Sequence, residues 1–272
     1  MPTTERPTQS AKLHGLRDAI YGEAVGDALG VPFEFMSRDS FQCTDMVGHG
    51  THNQPAGTWS DDTSMTLATC DSIKTCGCVD VDDIRLRFEA WMRMGNYTVD
   101  GLFDIGNTTR NALMEGHGMK GERDNGNGSL MRIAPLAFCD ASDDQIRDVS
   151  AITHAHHVSY ETCVSFVHIL RDASKDPIAV RERLKDQYGD KSRKHVRSGG
   201  FVRDTYYAAL WCVGTTSNYR DCVLAAVNLG DDTDTTAAVA GALAGTIYGA
   251  WSIPDEWLDA LREKDLIDSC LF

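Results

Sequence analysis

The sequence predicts an all-α fold, a compact single-domain helical bundle, from three observations. Apolar residues recur at the three- and four-residue spacing of a helix face along most of the chain, and few runs alternate as strands do. At 272 residues the chain lies at the upper end for one compact domain, and no linker rich in proline, glycine or serine divides it. With 42% apolar and 24% charged residues, it has enough apolar surface for a core and lacks the composition of a disordered polymer.

The elements follow in order. Residues 1–11 are polar, carry two prolines and lack periodic apolar positions, which predicts a disordered leader ahead of a domain over 12–272. Helical periodicity then covers 13–30, 63–75, 81–95, 103–116, 143–153, 157–172, 177–187, 202–213, 219–228, 234–250 and 255–264. The first of these has glycine on every fourth residue at Gly22, Gly26 and Gly30, and the tenth at Gly241, Gly245 and Gly249. An interior glycine costs a helix about 1 kcal/mol relative to alanine, so two such ridges make sense where helices must approach closely. In lipid they would suggest a transmembrane pair. Ala237–Trp251 is too short for that and Asp27 interrupts the other, so a buried soluble pair is expected.

Charge and targeting narrow the function classes. A formal net charge of −14 disfavours general nucleic-acid binding, although a local basic or metal-loaded cleft can still accept a polyanion. No charged start leads into an apolar signal core, and no apolar run approaches the roughly 20 residues that span a bilayer. The expectation is a cytoplasmic protein with no membrane partner. Nine scattered cysteines fit reduced thiols, and the sequons at Asn96, Asn107 and Asn127 carry little weight without a secretory route.

Two segments concentrate acids and hydroxyls at helix starts. Gly57-Thr58-Trp59-Ser60-Asp61-Asp62-Thr63 precedes one periodic run, and Gly230-Asp231-Asp232-Thr233-Asp234-Thr235-Thr236 precedes another. Ordinary capping explains either alone, since a hydroxyl or carboxylate accepts the free N–H groups and acids match the helix dipole. Three carboxylates within four positions repel one another, a cost that a bound hard cation with oxygen ligands removes. Two acidic entrances invite one shared site. Asp232 and Asp234, two residues apart, converge on it only from a loop or an irregular first turn.

Other segments have competing readings. In Gly126-Asn127-Gly128-Ser129-Leu130-Met131-Arg132, two glycines let backbone amides approach an anion, Ser129 can donate to phosphate and a helix can follow; a capped glycine turn is the plain alternative. Gly116–Gly121 spells GxGxxG but follows a helical run and lacks a βαβ context, so it is no dinucleotide fingerprint. His154-Ala155-His156-His157 has no cysteine pair at zinc spacing, Cys76-Gly77-Cys78 being only CxC.

The two acidic segments and Gly126–Arg132, together with Gly22-Glu23-Ala24-Val25-Gly26-Asp27-Ala28-Leu29-Gly30-Val31-Pro32-Phe33-Glu34, Asp104-Ile105-Gly106-Asn107-Thr108 and Thr153-His154, resemble in order the motifs of the ADP-ribosylglycohydrolases, over about residues 13–250. The resemblance implies hydrolysis of the glycosidic bond between ADP-ribose and a modified acceptor. It also implies a dimetal cleft, formed by inter-helix loops and holding two Mg²⁺ (or Mn²⁺) on Ser60, Asp61, Asp62, Asp232, Asp234 and Thr235. Ser60 stands where the family more often has threonine, and Asp231 falls outside the core motif. By the same resemblance Glu34 closes over the site, Asp62 and Asp104 join it in catalysis, and Asn127, Gly128, Ser129 and His154 contact substrate. The plain alternatives are a solvated loop acid for Glu34, an N-cap of the 105–115 helix for Asp104 and a structural histidine for His154. Phe201 replaces a tyrosine common beside the substrate. The implied partners are ADP-ribose and an ADP-ribosylated protein, with arginine the first-ranked acceptor. Serine, O-acetyl-ADP-ribose and modified nucleic acid follow; no motif decides the linkage or the oligomeric state. A non-catalytic ADP-ribose binder or structural relative and a phosphohydrolase acting on the diphosphate remain the rivals.

Overall fold

The glycine ridges set the centre of the fold. In the computed structural model, which describes residues 9–272, α1 (Gln9–Gly30) and α10 (Thr233–Tyr248) run antiparallel with their backbones in contact. A Cβ added at Gly22 would lie 2.3 Å from the Gly241 carbonyl oxygen, and one at Gly26 would lie 2.1 Å from that of Ala237. At Gly30 it would meet the Asp234 Cα at 2.3 Å. No larger residue fits this seam, which is why the propensity cost of the glycines is tolerated. The expected buried pair is therefore present. Most of the anticipated leader, residues 1–8, lies outside the described residues, and α1 already includes Gln9.

Around this pair stand α2 (Asp61–Cys76), α3 (Val81–Met94), α4 (Asn107–Glu115), α5 (Asp143–Ala151), α6 (His157–Lys175), α7 (Pro177–Tyr188), α8 (Val202–Thr215), α9 (Tyr219–Val227), α11 (Asp255–Ala260) and α12 (Lys264–Cys270). No β-strand forms among the described residues beyond three isolated bridges. The protein is all-α. Every residue of α10 from Thr233 to Gly245 is buried, so it is a core helix with contacts all round, whereas α3 is amphipathic and buries Ile84, Phe88 and Trp91. No helix among the described residues is long and apolar enough to cross a membrane.

Several boundaries differ from the sequence reading. The run at 103–116 yields a helix only from Asn107, leaving 102–106 as a loop. The run at 255–264 breaks at Leu261, where Arg262 donates its N–H to the Gly57 carbonyl at 3.1 Å and Ala260 seats against the open face of Gly57. A separate helix, α12, follows. Finally, no α-helix follows the GNGSLMR segment, which continues in turns to a 3₁₀ turn at Ala134–Ala137.

Candidate active site

The two acidic entrances meet. Ser60 caps α2, its hydroxyl accepting the Asp62 N–H at 3.3 Å and donating to Asp62 Oδ2 at 3.1 Å. Thr235, in the first turn of α10, donates its hydroxyl to the same Asp62 Oδ2 at 3.3 Å, across 173 residues of sequence. Asp232 ends the loop ahead of α10 and makes no capping bond with its side chain; its Oδ2 accepts from Asn127 Nδ2 at 2.8 Å. Asp234 lies in the first helical turn with its Oδ1 accepting the Thr235 N–H at 2.8 Å. The i, i+2 acids thus converge because one is still outside the helix, as the spacing requires.

Asp27 lies beneath this junction. Fully buried on α1, it accepts the Ser60 N–H at 2.9 Å, the Thr63 N–H at 3.0 Å and the Thr63 hydroxyl at 2.6 Å. It fixes the start of α2 from below. The sequence reading gave it no such role, although Glu23 and Asp27, acids one turn apart and both buried on the glycine-ridged helix, are a usable signal.

Glu34 follows a 3₁₀ turn at Val31–Phe33 that prolongs α1, and only 5% of its surface is exposed. Its carboxylate bonds His52 Nε2, and its carbonyl accepts the Thr51 hydroxyl at 2.7 Å. His52 ends a second 3₁₀ turn, Gly50–His52, that packs on Pro32 so tightly that a Cβ at Gly50 would lie 2.0 Å from the Pro32 oxygen. The imidazole ring lies 6.0 Å from the Phe35 ring and 5.2 Å from that of Phe103. Glu34 is a clamped, buried acid, which removes the solvated-loop alternative. Nothing in the sequence flags His52, 18 residues away in a polar loop.

Glu34, His52 and Asp104 can each bring one ligand atom within 4.8 Å of the others, and so can Glu34, Asp232 and Asp234. Asp104 does not cap α4: Gly106 occupies that position, without a side-chain cap. Asp231 takes a left-handed backbone with φ 61°, and its N–H and carbonyl pair with Met36 and Phe35 while its side chain is exposed. Its contribution is to hold the loop after Glu34.

The GNG turn is shaped by a histidine. A Cβ at Gly128 would lie 2.8 Å from the His154 ring, and one at Gly126 would lie 3.3 Å from it, so both glycines make room for the imidazole. His154 is buried, with Nδ1 2.9 Å from the Thr153 hydroxyl; burial first, then the Arg132 charge, lowers its pKa to about 3, and it is neutral. The Ser129 hydroxyl also faces inward, accepting from Ser150 at 2.9 Å beside Cys163. Asn127 reaches the acids, donating to Asp232 and to Thr205. Phe201 is 42% exposed and its backbone bridges Gly126. In the zinc alternative's segment, His156 caps α6 by accepting the Val158 N–H at 3.2 Å.

The electrostatics favour a cation. Burial, followed by the charge of neighbouring acids, raises Asp61, Asp62 and Asp234 well above the carboxylate range, and burial raises Glu34 to about 7. Asp62 Oδ1 and Asp232 Oδ1 are buried without any hydrogen-bond partner. Orphaned carboxylate oxygens among mutually repelling acids and hydroxyls fit an oxygen-liganded divalent ion.

The acids of this all-helical body thus gather where two helices begin. The ADP-ribosylglycohydrolase family model matches residues 8–271. The chain is 36% identical to the ADP-ribosylarginine hydrolase Tri1 of Serratia proteamaculans, over 96% of this chain and 79% of that protein. It is 38% identical to Tri1 of Pseudomonas putida, over 93% and 75%, and 32% identical to the ADP-ribosyl-[dinitrogen reductase] glycohydrolase of Rhodospirillum rubrum, over 90% of each. A solved ADP-ribosylglycohydrolase-related protein complex superposes with a TM-score of 0.80 at 28% identity, over 96% of each chain. The chain belongs to the ADP-ribosylglycohydrolase family and is a glycosidase of ADP-ribosyl acceptors.

Proposed function

We propose that this protein hydrolyses the N-glycosidic bond between ADP-ribose and a modified arginine on a cytoplasmic protein. The observation that carries the arginine assignment is the likeness to two ADP-ribosylarginine hydrolases at 36% and 38% identity. Ser60, Asp61, Asp62, Asp232, Asp234 and Thr235, with Glu34 beside them, are the residues that would hold two Mg²⁺ or Mn²⁺. Bound there, the cations would orient the ribose hydroxyls and lower the pKa of water.

The chain's own groups do the rest. Water's oxygen bonds to the anomeric carbon while the carbon–nitrogen bond breaks, its electron pair leaving with the guanidino group. Glu34, whose burial places its pKa at about 7, takes the proton from that water and returns one to the departing nitrogen. His52 and Thr51 hold Glu34 in one orientation, and Asp104 flanks it. Asn127 fixes Asp232, while Asp27 fixes the entrance of α2. With the Ser129 hydroxyl engaged in the interior and the Asn127 N–H held by the Gly200 carbonyl, the turn would offer a diphosphate the backbone N–H groups of Gly128 and Ser129, and the His154 ring packs against its glycines.

A panel of ADP-ribosyl-arginine, ADP-ribosyl-serine, O-acetyl-ADP-ribose and ADP-ribosylated oligonucleotide, with Mg²⁺ or EDTA, tests this reading. Intact ADP-ribose should be released fastest from arginine, with Asp62→Ala lowering the rate by roughly three orders of magnitude. Preference for another linkage would replace the arginine assignment. AMP as product would indicate phosphohydrolysis, and ADP-ribose binding without turnover would indicate a binding protein.

A further inference from the structure

The chain has 40 acidic residues against 26 basic ones, yet the seven residues Lys191–Arg197 hold Lys191, Arg193, Lys194, His195 and Arg197 and no acid. Arg193 is engaged with Asp39 and the Asn228 carbonyl. Lys191, Lys194, His195 and Arg197 are exposed.

The backbone beneath these side chains is held in place by one guanidinium. Arg38 donates to the carbonyls of Leu229, Arg193 and Val196 at 2.7, 3.0 and 2.6 Å, and to the Ser198 hydroxyl at 3.2 Å. Trp211 Nε1 fixes the near end through the Lys191 carbonyl at 2.8 Å. A cavity of about 430 Å³ opens between this strip and α8, lined by Lys191, His195, Arg197, Tyr188, Tyr207 and Asp204 among others.

The strip leads directly to the acidic centre. Ser198 accepts the Asp232 N–H at 3.1 Å, and Gly200 accepts the Asn127 N–H at 3.0 Å. A basic, pre-organised ledge therefore adjoins a cluster of acids.

We infer that the Lys191–Arg197 strip docks an acidic stretch of the acceptor protein flanking its modified residue, an inference that rests on the protein-acceptor reading above. Rim charges of this kind act chiefly on encounter rate and KM, and a prefixed backbone lowers the ordering cost of docking. A nucleic-acid occupant is less well served. The exposed cations of the strip span only seven residues, enough for a short acidic stretch and too few to track a phosphate backbone.

The test compares free ADP-ribosyl-arginine with two ADP-ribosylated peptides, flanked by glutamates or by glycines, on the wild type and on K191E/K194E/R197E. Thermal unfolding checks that the variant is folded. The wild type should favour the glutamate-flanked peptide, an advantage that declines in 0.5 M NaCl. The variant should lose about tenfold in kcat/KM on that peptide, through KM, and nothing on free ADP-ribosyl-arginine. Equal effects on all three substrates, or no effect on any, would overturn the inference. Anisotropy with the unmodified glutamate peptide reads the strip without catalysis: charge-dependent binding there, with no hydrolysis of any arginine substrate, would reject the proposed function and keep the strip. Absence of that binding, or tighter binding of an oligonucleotide of equal charge, would reject the strip itself.

Discussion

Asp27 on α1 accepts the backbone N–H of Ser60 at 2.9 Å, so the helix that begins the domain supports the residue that begins the candidate centre. With Thr63 N–H and hydroxyl on its other oxygen, one buried carboxylate satisfies three donors. Asp27→Asn keeps the shape but turns N–H groups toward N–H groups. It should cost about 3 kcal/mol and, for a chain of this size, lower the thermal midpoint by roughly 6–12 °C. The stabilisation by Mg²⁺ should shrink with it. Unchanged calorimetric traces with and without Mg²⁺ would remove Asp27 as the organiser of the α2 entrance.

Gly26→Ala would place a methyl group 2.1 Å from the Ala237 carbonyl oxygen, between two backbones that neither rotate nor yield. The gain of about 1 kcal/mol in helix propensity is outweighed by separating α1 from α10, and we expect a loss of at least 3 kcal/mol or insoluble protein. Gly77→Ala is the comparison: at φ +70° with nothing within 4 Å, it should cost only about 1 kcal/mol of backbone strain. Urea unfolding of both variants checks the order.

His52 should affect rate more than stability. Replacing it with alanine frees the Glu34 carboxylate from its partner, and kcat should fall by about 10–100-fold with little change in KM. His52→Gln, which can still donate to Glu34, should recover much of that loss. If both variants are equally impaired, or both unfold at lower temperature in proportion to their loss, the positioning role fails.

The buried acids link stability to pH and cation. Burial, with mutual repulsion added for Glu34, raises Asp27 to about 6 and Glu34 to about 7, whereas in the unfolded chain both titrate near 4. The folded state therefore binds more protons. Their contribution is complete below about pH 4 and is lost as pH rises through the folded values, over about pH 4–7. Without metal, the thermal midpoint should fall between pH 5 and pH 8. Added Mg²⁺ should raise it more at pH 8 than at pH 5, because the cation then replaces protons. A Mg²⁺ effect independent of pH would dissociate the cation from these acids.

The glycine ridges, the acidic helix starts and the apolar periodicity are local patterns, and the all-α fold, the α1–α10 pairing and most helix limits were legible from them. That the two acidic entrances share one site was suggested by their mutually repelling carboxylates, and the joining of Asp62 with Thr235 was implied by the family resemblance. What only the tertiary structure decided depends on which atoms become neighbours at long range. It set the Asp27 support under Ser60 and the His52 clamp on Glu34, and it turned the Ser129 hydroxyl inward. It also showed that the glycines of the GNG turn clear the ring of His154 and that Arg38 holds a basic strip beside the cleft. Each of these is a contact between segments with no common periodicity, and each was fixed by how the helices close on one another.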